Sequence, residues 1–178
     1  MKKRKFSERI KNITVNKLFD YLILTHIKYA LWYFAAYFPI FQNSMSWKVR
    51  AKIWRLIGVN IGKNVFIGYG VYLDIGGTSR ITIGDNVIIT AQSLLLTHKR
   101  DLAGYDGTTL HNELPFIEEK IIIEDNVSIG MRSIIMPGVT IGRNSVIGSM
   151  AMVSRSVPEN VVAVGNPLKI IKKFQNVG

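Results

Sequence analysis

The stretch IIIEDNVSIGMRSIIMPGVTIGRNSVIGSMAMVSRSV, residues 121–157, repeats one pattern every six positions. Each six-residue unit begins with an aliphatic residue, and Gly or Asn recurs at fixed places behind it. The aliphatic positions are Ile123, Ile129, Ile135, Ile141, Ile147 and Val153. A fixed six-residue period is typical of a parallel β-helix built from stacked coils. An antiparallel sandwich would instead place turns every 8–12 residues without a fixed register.

The same period continues towards the N-terminus with two interruptions. Aliphatic residues recur from Ile61 to Leu73, then after a four-residue slip from Ile83 to Leu95, and then after a longer break from Ile123. Three hexapeptides make one coil, so the sequence predicts coils at 61–78, 83–100, 123–140 and 141–158. Asn and Gly at the repeated corner tolerate φ > 0 with little strain. The position two residues before each aliphatic residue mostly holds a small residue or Val, which suits a narrow interior.

The ends of such a prism expose strand edges and need covers. We therefore divide the chain into a basic, aromatic helical region at 1–58, a β-helix at 59–166 with a loop at 97–120, and a C-terminal helix and tail at 167–178. Pro167 suits the first position of a short helix, in which Ile170, Ile171 and Phe174 would share one face. A slim prism buries little apolar surface for its size, which favours assembly into a closed homo-oligomer.

The charge of the chain is concentrated in its first third. The net charge is +11 overall; residues 1–58 hold 12 Lys and Arg against Glu8 and Asp20, whereas residues 59–178 are nearly neutral. Half of the 18 aromatic residues fall between Phe19 and Phe41. Because these aromatic residues are embedded in apolar sequence and do not alternate with Lys and Arg, we expect no nucleic-acid partner.

The uninterrupted apolar run at 29–41 is shorter than the ~20 residues that a membrane span needs. A small-residue cleavage site does not follow it, so we do not expect a secretory signal peptide. Segment 47–57 has the pattern of an amphipathic helix, with Lys48, Lys52 and Arg55 opposite Trp47 and Trp54. These features predict a cytoplasmic protein that is peripheral at the inner face of the cell membrane and contacts anionic lipid. The alternative is that the same helices pack on the open end of the prism or on a neighbouring subunit.

The longer break in the repeat, THKRDLAGYDGTTLHNELPFIEEK at 97–120, holds two of the three His residues, His98 and His111. Insertions in a repeat protein become loops on one face, where function tends to lie. A neutral imidazole is a suitable base for a hydroxyl group near neutral pH. We expect the ring of this base to be oriented by a partner, either Asp101 or a backbone carbonyl. The chain has no Cys, which excludes a thiol nucleophile and Cys-ligated zinc.

The combination of NVSIG, PGVTIG, NSVIG and VGNPLKII over residues 59–174 resembles the hexapeptide-repeat acyltransferases, and most closely the bacterial sugar and polysaccharide O-acetyltransferases. The resemblance implies a left-handed parallel β-helix, a homotrimer with sites between subunits, and acetyl-CoA as co-substrate. In the sugar O-acetyltransferases a Thr-His pair opens this loop and carries the catalytic His, which corresponds to Thr97 and His98.

The resemblance also implies a cofactor-binding set. The backbone amides of Met131 and Ser149 would line the groove for acetyl-pantetheine, and their separation of one 18-residue coil predicts that they stack along one edge of the prism. Further residues placed near the cofactor by the resemblance are Ser154, Arg155, Lys169 and Lys172. In a regular prism His98 falls on a different edge from Met131 and Ser149, so base and thioester would meet across a subunit interface.

We therefore predict transfer of an acetyl group from acetyl-CoA to a hydroxyl of a sugar, in a surface polysaccharide or its lipid-linked precursor. The alternatives are acetylation of a soluble sugar, an amino-sugar nucleotide or a xenobiotic, and a non-catalytic β-helical membrane scaffold. No metal is predicted, because the γ-type carbonic anhydrases with this fold need three zinc-ligating His. Here His26 lies in the apolar region, and the other two His share one loop.

Overall fold

The computed structural model describes residues 15–37 and 46–175, with side chains described for 22–37 and 48–175. Two helices, α1 (Val15–Tyr37) and α2 (Ser46–Leu56), precede sixteen short strands. The strands are β1 (Asn60–Ile61), β2 (Phe66–Ile67), β3 (Tyr72–Leu73), β4 (Ile81–Ile83), β5 (Ile88–Ile89), β6 (Leu94–Leu95), β7 (His98–Arg100), β8 (Phe116–Glu118), β9 (Ile121–Ile123), β10 (Ser128–Ile129), β11 (Ile134–Ile135), β12 (Thr140–Ile141), β13 (Val146–Ile147), β14 (Met152–Val153), β15 (Val161–Val164) and β16 (Lys169–Lys173). A 3₁₀ turn, Ile75–Arg80, lies between β3 and β4.

The strands form the three faces of a prism, and the predicted β-helix is confirmed. The first face has the order β1-β4-β9-β12, the second β2-β5-β10-β13-β15-β16, and the third β3-β6-β11-β14. All pairs within the four coils are parallel and in the predicted register: Ile61 pairs with Ile83, Ile83 with Ile123, and Ile123 with Ile141. Each coil is therefore bonded to its neighbouring coils, about 4.8 Å away.

Asn side chains form a ladder along the first edge, where the first face meets the second. Five stacked Asn residues here have φ between 53° and 58°, which is the left-handed conformation that the repeat predicted. They are Asn64, Asn86, Asn126, Asn144 and Asn160. Nδ2 of Asn126 donates to Oδ1 of Asn144 at 3.0 Å, and Asn144 donates in turn to Asn160 at 2.9 Å. Asn is used at this edge because it tolerates αL and its amide bonds the next coil.

The interior is filled by the repeated aliphatic side chains together with small residues, as the sequence predicted. Ile67, Ile89, Ile129 and the other repeat positions are almost fully buried. Buried Ser residues fit the same narrow interior because their hydroxyls find backbone partners: Ser133 Oγ donates to the carbonyl of Gly130 at 2.8 Å. Such pairing avoids the cost of burying an unsatisfied hydroxyl.

Helix α2 covers the open end of the first coil. Its Trp54 and Ala51 are buried, and two Arg side chains cap carbonyls that no preceding coil can bond. Arg50 Nε donates to Ile67 O at 2.6 Å, and Arg55 Nε donates to Ile61 O at 3.1 Å. Burial lowers the pKa of the Arg50 guanidinium. Charged donors are strong partners for such carbonyls.

Helix α1 packs beside this end through its C-terminal half. Trp32 Nε1 donates to Val71 O at 3.1 Å, and the Gly70 amide donates to Ala36 O at 3.2 Å. Trp32 and Trp54 are both buried against the prism, as the packing alternative expected of these helices. The side chain of Trp47, on the same predicted face as Trp54, lies outside the described residues. Among the described helices, none is long and apolar enough to cross a membrane.

The predicted C-terminal helix is wrong: the chain forms a β-hairpin there. β15 stacks in parallel on β13, the chain turns at 165–168, and β16 pairs antiparallel with β15. A helix this short gains few backbone hydrogen bonds and is marginal in water. As a strand, β16 instead bonds the exposed outer edge of the second face, which would otherwise be left unpaired.

Both interruptions of the repeat lie on the third edge, where the third face meets the first. The four-residue slip is the 3₁₀ turn Ile75–Arg80, and the break at 97–120 contains β7 and β8, which form an antiparallel hairpin. Neither changes the register of the coils, because each insertion leaves and re-enters the prism at the same edge. The third edge therefore carries the residues that are not needed for stacking.

The role of α2 as a cap predicts a strong dependence of stability on Trp54. Trp54→Ala is expected to lower the free energy of unfolding by about 3–5 kcal/mol, because it opens a cavity against the first coil. Leu56→Ala on the same helix is the control, since Leu56 is 73% exposed and should change stability by less than about 0.5 kcal/mol. Urea unfolding at one protein concentration measures both, and equal effects would contradict the capping role.

Candidate active site

His98 begins the hairpin on the third edge, directly after the second coil. It lies on β7 opposite Glu118 of β8, and the Glu119 amide donates to Thr97 O at 2.9 Å, which fixes the base of the hairpin to the prism. The His98 ring packs edge-on against Phe116, with ring centroids 5.3 Å apart. The backbone and the aromatic contact therefore hold the imidazole in place while its side chain remains 45% exposed.

The His98 ring is hydrogen-bonded through Nδ1 to Oδ2 of Asp74. Asp74 lies one coil below, at the end of β3 and before the 3₁₀ turn. An ionised carboxylate only accepts hydrogen bonds, so this contact places the proton on Nδ1. Nε2 is then the nitrogen with the free lone pair, and it can act as a general base towards a substrate at the edge.

The Asp74 carboxylate is itself held from a second side. Thr97 Oγ1 donates to the same Oδ2 at 2.6 Å, and both residues are buried. Gly77 makes room for this arrangement, because a Cβ added there would lie 1.7 Å from Thr97 Oγ1. The Asp74 amide donates to Leu95 O at 3.1 Å, within the ladder between the coils. The carboxylate is therefore fixed by the same stacking that builds the fold.

Asp74, and not Asp101, is the partner that the structure gives to His98. Asp101 is buried at the neck of the loop, where its amide donates to Pro115 O at 2.8 Å and its Oδ1 accepts from the Ala103 amide at 3.0 Å. Sequence reasoning looked for the partner within the loop and missed a contact between coils. The sequence held one signal for this contact between coils. The first two coils are offset by 22 residues, and an acidic residue directly follows the aliphatic Leu73.

An ion pair borders His98 on the same hairpin. Arg80 of the 3₁₀ turn bonds Glu118 Oε2 at 2.7 Å, and both side chains are 27% exposed. The Arg100 guanidinium lies over the Phe116 ring, 3.9 Å from its centroid, in a cation–π contact. Charged groups of both signs therefore lie beside His98 on this edge of the prism.

Met131 and Ser149 stack on the second edge, where the second face meets the third, as predicted. The Met150 amide donates to Met131 O at 2.8 Å, and a Cβ added at Gly130 would meet Ser149 N at 2.3 Å, so the coils touch closely here. Arg132 and Met150 have φ of 58° and 60° on this edge, although neither is Gly or Asn. Such backbone strain persists where the surrounding structure enforces it. His98 is on another edge of the same chain.

The remaining predicted cofactor residues divide between the edges. Lys169 pairs with Val164, so it enters β16 close to the second edge, and Lys172 lies further along β16 opposite Val162. Ser154 and Arg155 follow β14 on the third edge, two coils beyond His98. Arg155 also donates to Leu168 O at 3.0 Å, which ties the C-terminal turn to the prism.

The other His residues are engaged elsewhere. His111 lies in the loop with its Nε2 3.3 Å from the Tyr105 hydroxyl, and His26 Nδ1 bonds Leu22 O within α1. Asp106 bonds the amide and hydroxyl of Thr108, and these bonds lower the pKa of its carboxyl. In the described parts of the chain, no three His, Cys, Asp or Glu residues are grouped as a metal site would require.

Comparison with known proteins supports the architecture and the family. The family described as "Bacterial transferase hexapeptide (six repeats)" matches residues 120–155, and "Hexapeptide repeat of succinyl-transferase" matches 53–75 and 58–91. The putative colanic acid biosynthesis acetyltransferase WcaF of Escherichia coli K12 is 33% identical over 83% of this chain and 87% of its own length.

Two further proteins show how far the similarity extends. Galactoside O-acetyltransferase of Escherichia coli K12 is 37% identical over 66% of this chain and 55% of its own length. The chain spans about half the length of the first curated relatives it matches, 54–58%. The structure of a hexapeptide-repeat acetyltransferase from Vibrio cholerae O1 biovar eltor, complexed with acetyl coenzyme A, has a TM-score of 0.64 at 21% identity and covers 88% of this chain and 90% of its own.

The Vibrio cholerae structure supports the left-handed β-helix fold. WcaF, which is matched over 87% of its own length, supports membership of the family as well. The six-residue period and the three parallel faces agree with this fold. This chain belongs to the hexapeptide-repeat acetyltransferase family.

Proposed function

We propose that this protein transfers an acetyl group from acetyl-CoA to a hydroxyl of a sugar, in a surface polysaccharide or its lipid-linked precursor. The observation that carries the proposal is the Asp74–His98 pair, which orients an exposed imidazole on an edge of the prism. The similarity to a protein named for colanic acid biosynthesis favours a polysaccharide acceptor. The Vibrio cholerae structure, which contains acetyl coenzyme A on the same fold, favours that donor.

In the proposed reaction His98 Nε2 removes the proton from the acceptor hydroxyl, and the oxygen attacks the thioester carbonyl of acetyl-CoA. A backbone amide on the second edge, at Met131 or Ser149, stabilises the oxyanion, an interaction typically worth about 3 kcal/mol. As the C–S bond breaks, His98 returns its proton to the departing thiolate. Asp74 accepts from Nδ1 throughout and stabilises the imidazolium that forms between the two proton transfers.

The two halves of this site lie on different edges of one chain, so the proposal includes a homotrimer. A neighbouring copy packed side by side would bring its second edge, with Met131 and Ser149, against the third edge of the first chain, with His98. Ile88 and Ile122 are exposed by 43% and 37% on the faces of the prism, and a closed assembly would bury such side chains. Lys169 and Lys172 are then placed to attract the phosphates of the cofactor.

The direct test is release of free CoA by the purified full-length chain, measured first without an acceptor and then with galactosides, nucleotide sugars and lipid-linked glycans. We expect CoA release above background with a glycan acceptor, together with a mass gain of one acetyl group on that glycan. Binding of acetyl-CoA without turnover on any of these acceptors would instead support a non-catalytic β-helical scaffold.

His98→Ala is expected to lower kcat by about 10²–10⁴-fold, because the reaction loses its general base. His111→Ala is the matched control from the same loop and should change kcat much less, since its ring bonds Tyr105. Steady-state kinetics with acetyl-CoA binding measured in parallel separates loss of chemistry from loss of the cofactor. Equal losses in the two variants would contradict the assignment of the base.

Asp74→Asn keeps the shape of the side chain but removes its charge, so Nδ1 of His98 loses its ionic acceptor. We expect kcat to fall by roughly 10²-fold or more, with little change in the KM for acetyl-CoA. Asp101→Asn is the control, because its Oδ1 can still accept from the Ala103 amide. A larger loss in the Asp101 variant than in the Asp74 variant would contradict the orienting role of Asp74.

A site shared between subunits predicts rescue by mixing. His98→Ala and Ser149→Trp are each expected to be inactive alone, but each mixed trimer contains one interface free of both changes. Random equimolar mixing should restore about a quarter of the wild-type rate. Mixing His98→Ala with the double variant carrying both changes is the control and should restore nothing. Confirmed subunit exchange without regained activity would show that the site lies within one chain.

A further inference from the structure

Helix α1 exposes an unusual amount of apolar surface for a helix beside a well-formed core. Eight large side chains are 37–64% exposed along it, and Tyr33 is the most exposed at 64%. They are Leu22, Ile23, Leu24, Ile27, Tyr29, Tyr33, Phe34 and Tyr37. Monomeric proteins seldom leave a contiguous apolar patch of this kind uncovered.

The exposure follows from how α1 is attached. The described bonds between α1 and the prism come from its C-terminal half, where Trp32 and Ala36 are buried and bonded to the first coil. Consecutive residues of a helix point about 100° apart. Leu22, Ile23 and Leu24 therefore point in three directions, yet each is about half exposed. The described turn at 22–24 therefore leaves apolar side chains exposed on several sides of α1.

Tyrosines lie along one side of this helix. Tyr29, Tyr33 and Tyr37 are spaced four residues apart, so they share a face, and all three are exposed. A Tyr ring is apolar while its hydroxyl is polar, which suits the boundary between acyl chains and headgroups of a lipid bilayer. These exposed Tyr side chains therefore suit a lipid interface.

The charge next to α1 identifies the chemistry of its partner. Seven Lys and Arg fall within the first 17 residues, with Glu8 as the acid among them. They are Lys2, Lys3, Arg4, Lys5, Arg9, Lys11 and Lys17, and their side chains lie outside the described residues. A second copy of this chain offers no complementary surface charge overall, since the whole chain carries +11 and residues 59–178 are nearly neutral. An anionic lipid surface supplies both an apolar phase and negative charge.

We propose that α1 and the basic segment before it dock this protein onto an anionic lipid surface. The helix buries its exposed apolar side chains at the acyl boundary, and the basic residues pair with lipid phosphates. Trp54 and Arg50 stay in the cap of the first coil, so docking leaves the prism intact. The inference adds a partner to the proposed function, because a lipid-linked acceptor would be held at the same surface.

The test is co-flotation of the full-length protein with vesicles, without any substrate. Vesicles of equimolar phosphatidylglycerol and phosphatidylcholine are expected to bind the protein at least tenfold more strongly than vesicles of phosphatidylcholine alone. Raising the salt to 1 M shortens the Debye length to about 3 Å and should weaken the binding without abolishing it, because apolar burial remains.

Two variants separate the contributions of apolar burial and charge. Ile23→Gln with Ile27→Gln should lower the bound fraction at least tenfold on anionic vesicles, and replacement of the six basic residues from Lys2 to Lys11 by Gln should remove the preference for anionic lipid. Leu102→Gln with Leu110→Gln is the matched control, since these loop residues are at least as exposed but lie outside the helix. Equal binding by the α1 and control variants would overturn the proposal.

The oligomeric state of the same variants decides between lipid and a second copy as the occupant. Sedimentation should give the same mass for the wild type and for the Ile23→Gln, Ile27→Gln variant. A loss of subunits in that variant, with unchanged flotation, would assign α1 to a contact between copies and overturn lipid docking. Flotation without CoA release would refute the proposed acetyl transfer alone, and CoA release without flotation would refute docking alone.

Discussion

Each parallel strand of the β-helix is two to four residues long, so its backbone groups are satisfied by the coils above and below it. The Gly62 amide bonds Ile83 O, the Gly84 amide bonds Ile123 O, and the Gly130 amide bonds Ile147 O, all at 2.8 Å. This ladder requires every coil to place its three strands in register with the strands of the coil before it. Stacking therefore determines which side chains fit on the faces and in the interior. Side chains with other roles are left to the edges and the ends of the prism.

The ends show how the ladder is closed. At the first coil the unpaired carbonyls are bonded by guanidinium groups from α2, and at the last coil β16 pairs along the outer edge of β15. Both solutions satisfy hydrogen bonds that a truncated prism would expose to water or to another chain. The two helices before the prism thus differ: α2 caps the first coil, whereas α1 leaves large apolar side chains exposed beside it.

The period predicted the fold because a hexapeptide repeat encodes position on a face directly: Ile123, Ile129 and Ile135 could occupy no other sites without breaking the stack. His98 was found because it opens the one long break in that period. Asp74 was missed because its contact depends on which residues stack across a slip of four, which the period alone does not specify. The C-terminal strand was missed because KIIKK suits an amphipathic helix as well as a strand, and pairing with β15 decides between them.

The hairpin of His98 leaves the prism and returns to it at one edge, so Ile83 and Ile123 pair directly although 40 residues separate them. The length and sequence of the segment between β7 and β8 are thereby uncoupled from the stacking of the coils. Residues 101–115 can change without altering the position of Asp74, which belongs to the coil below, or of the second edge. The loop is thus free to change in length and sequence while Asp74, His98 and the second edge keep their positions on the prism.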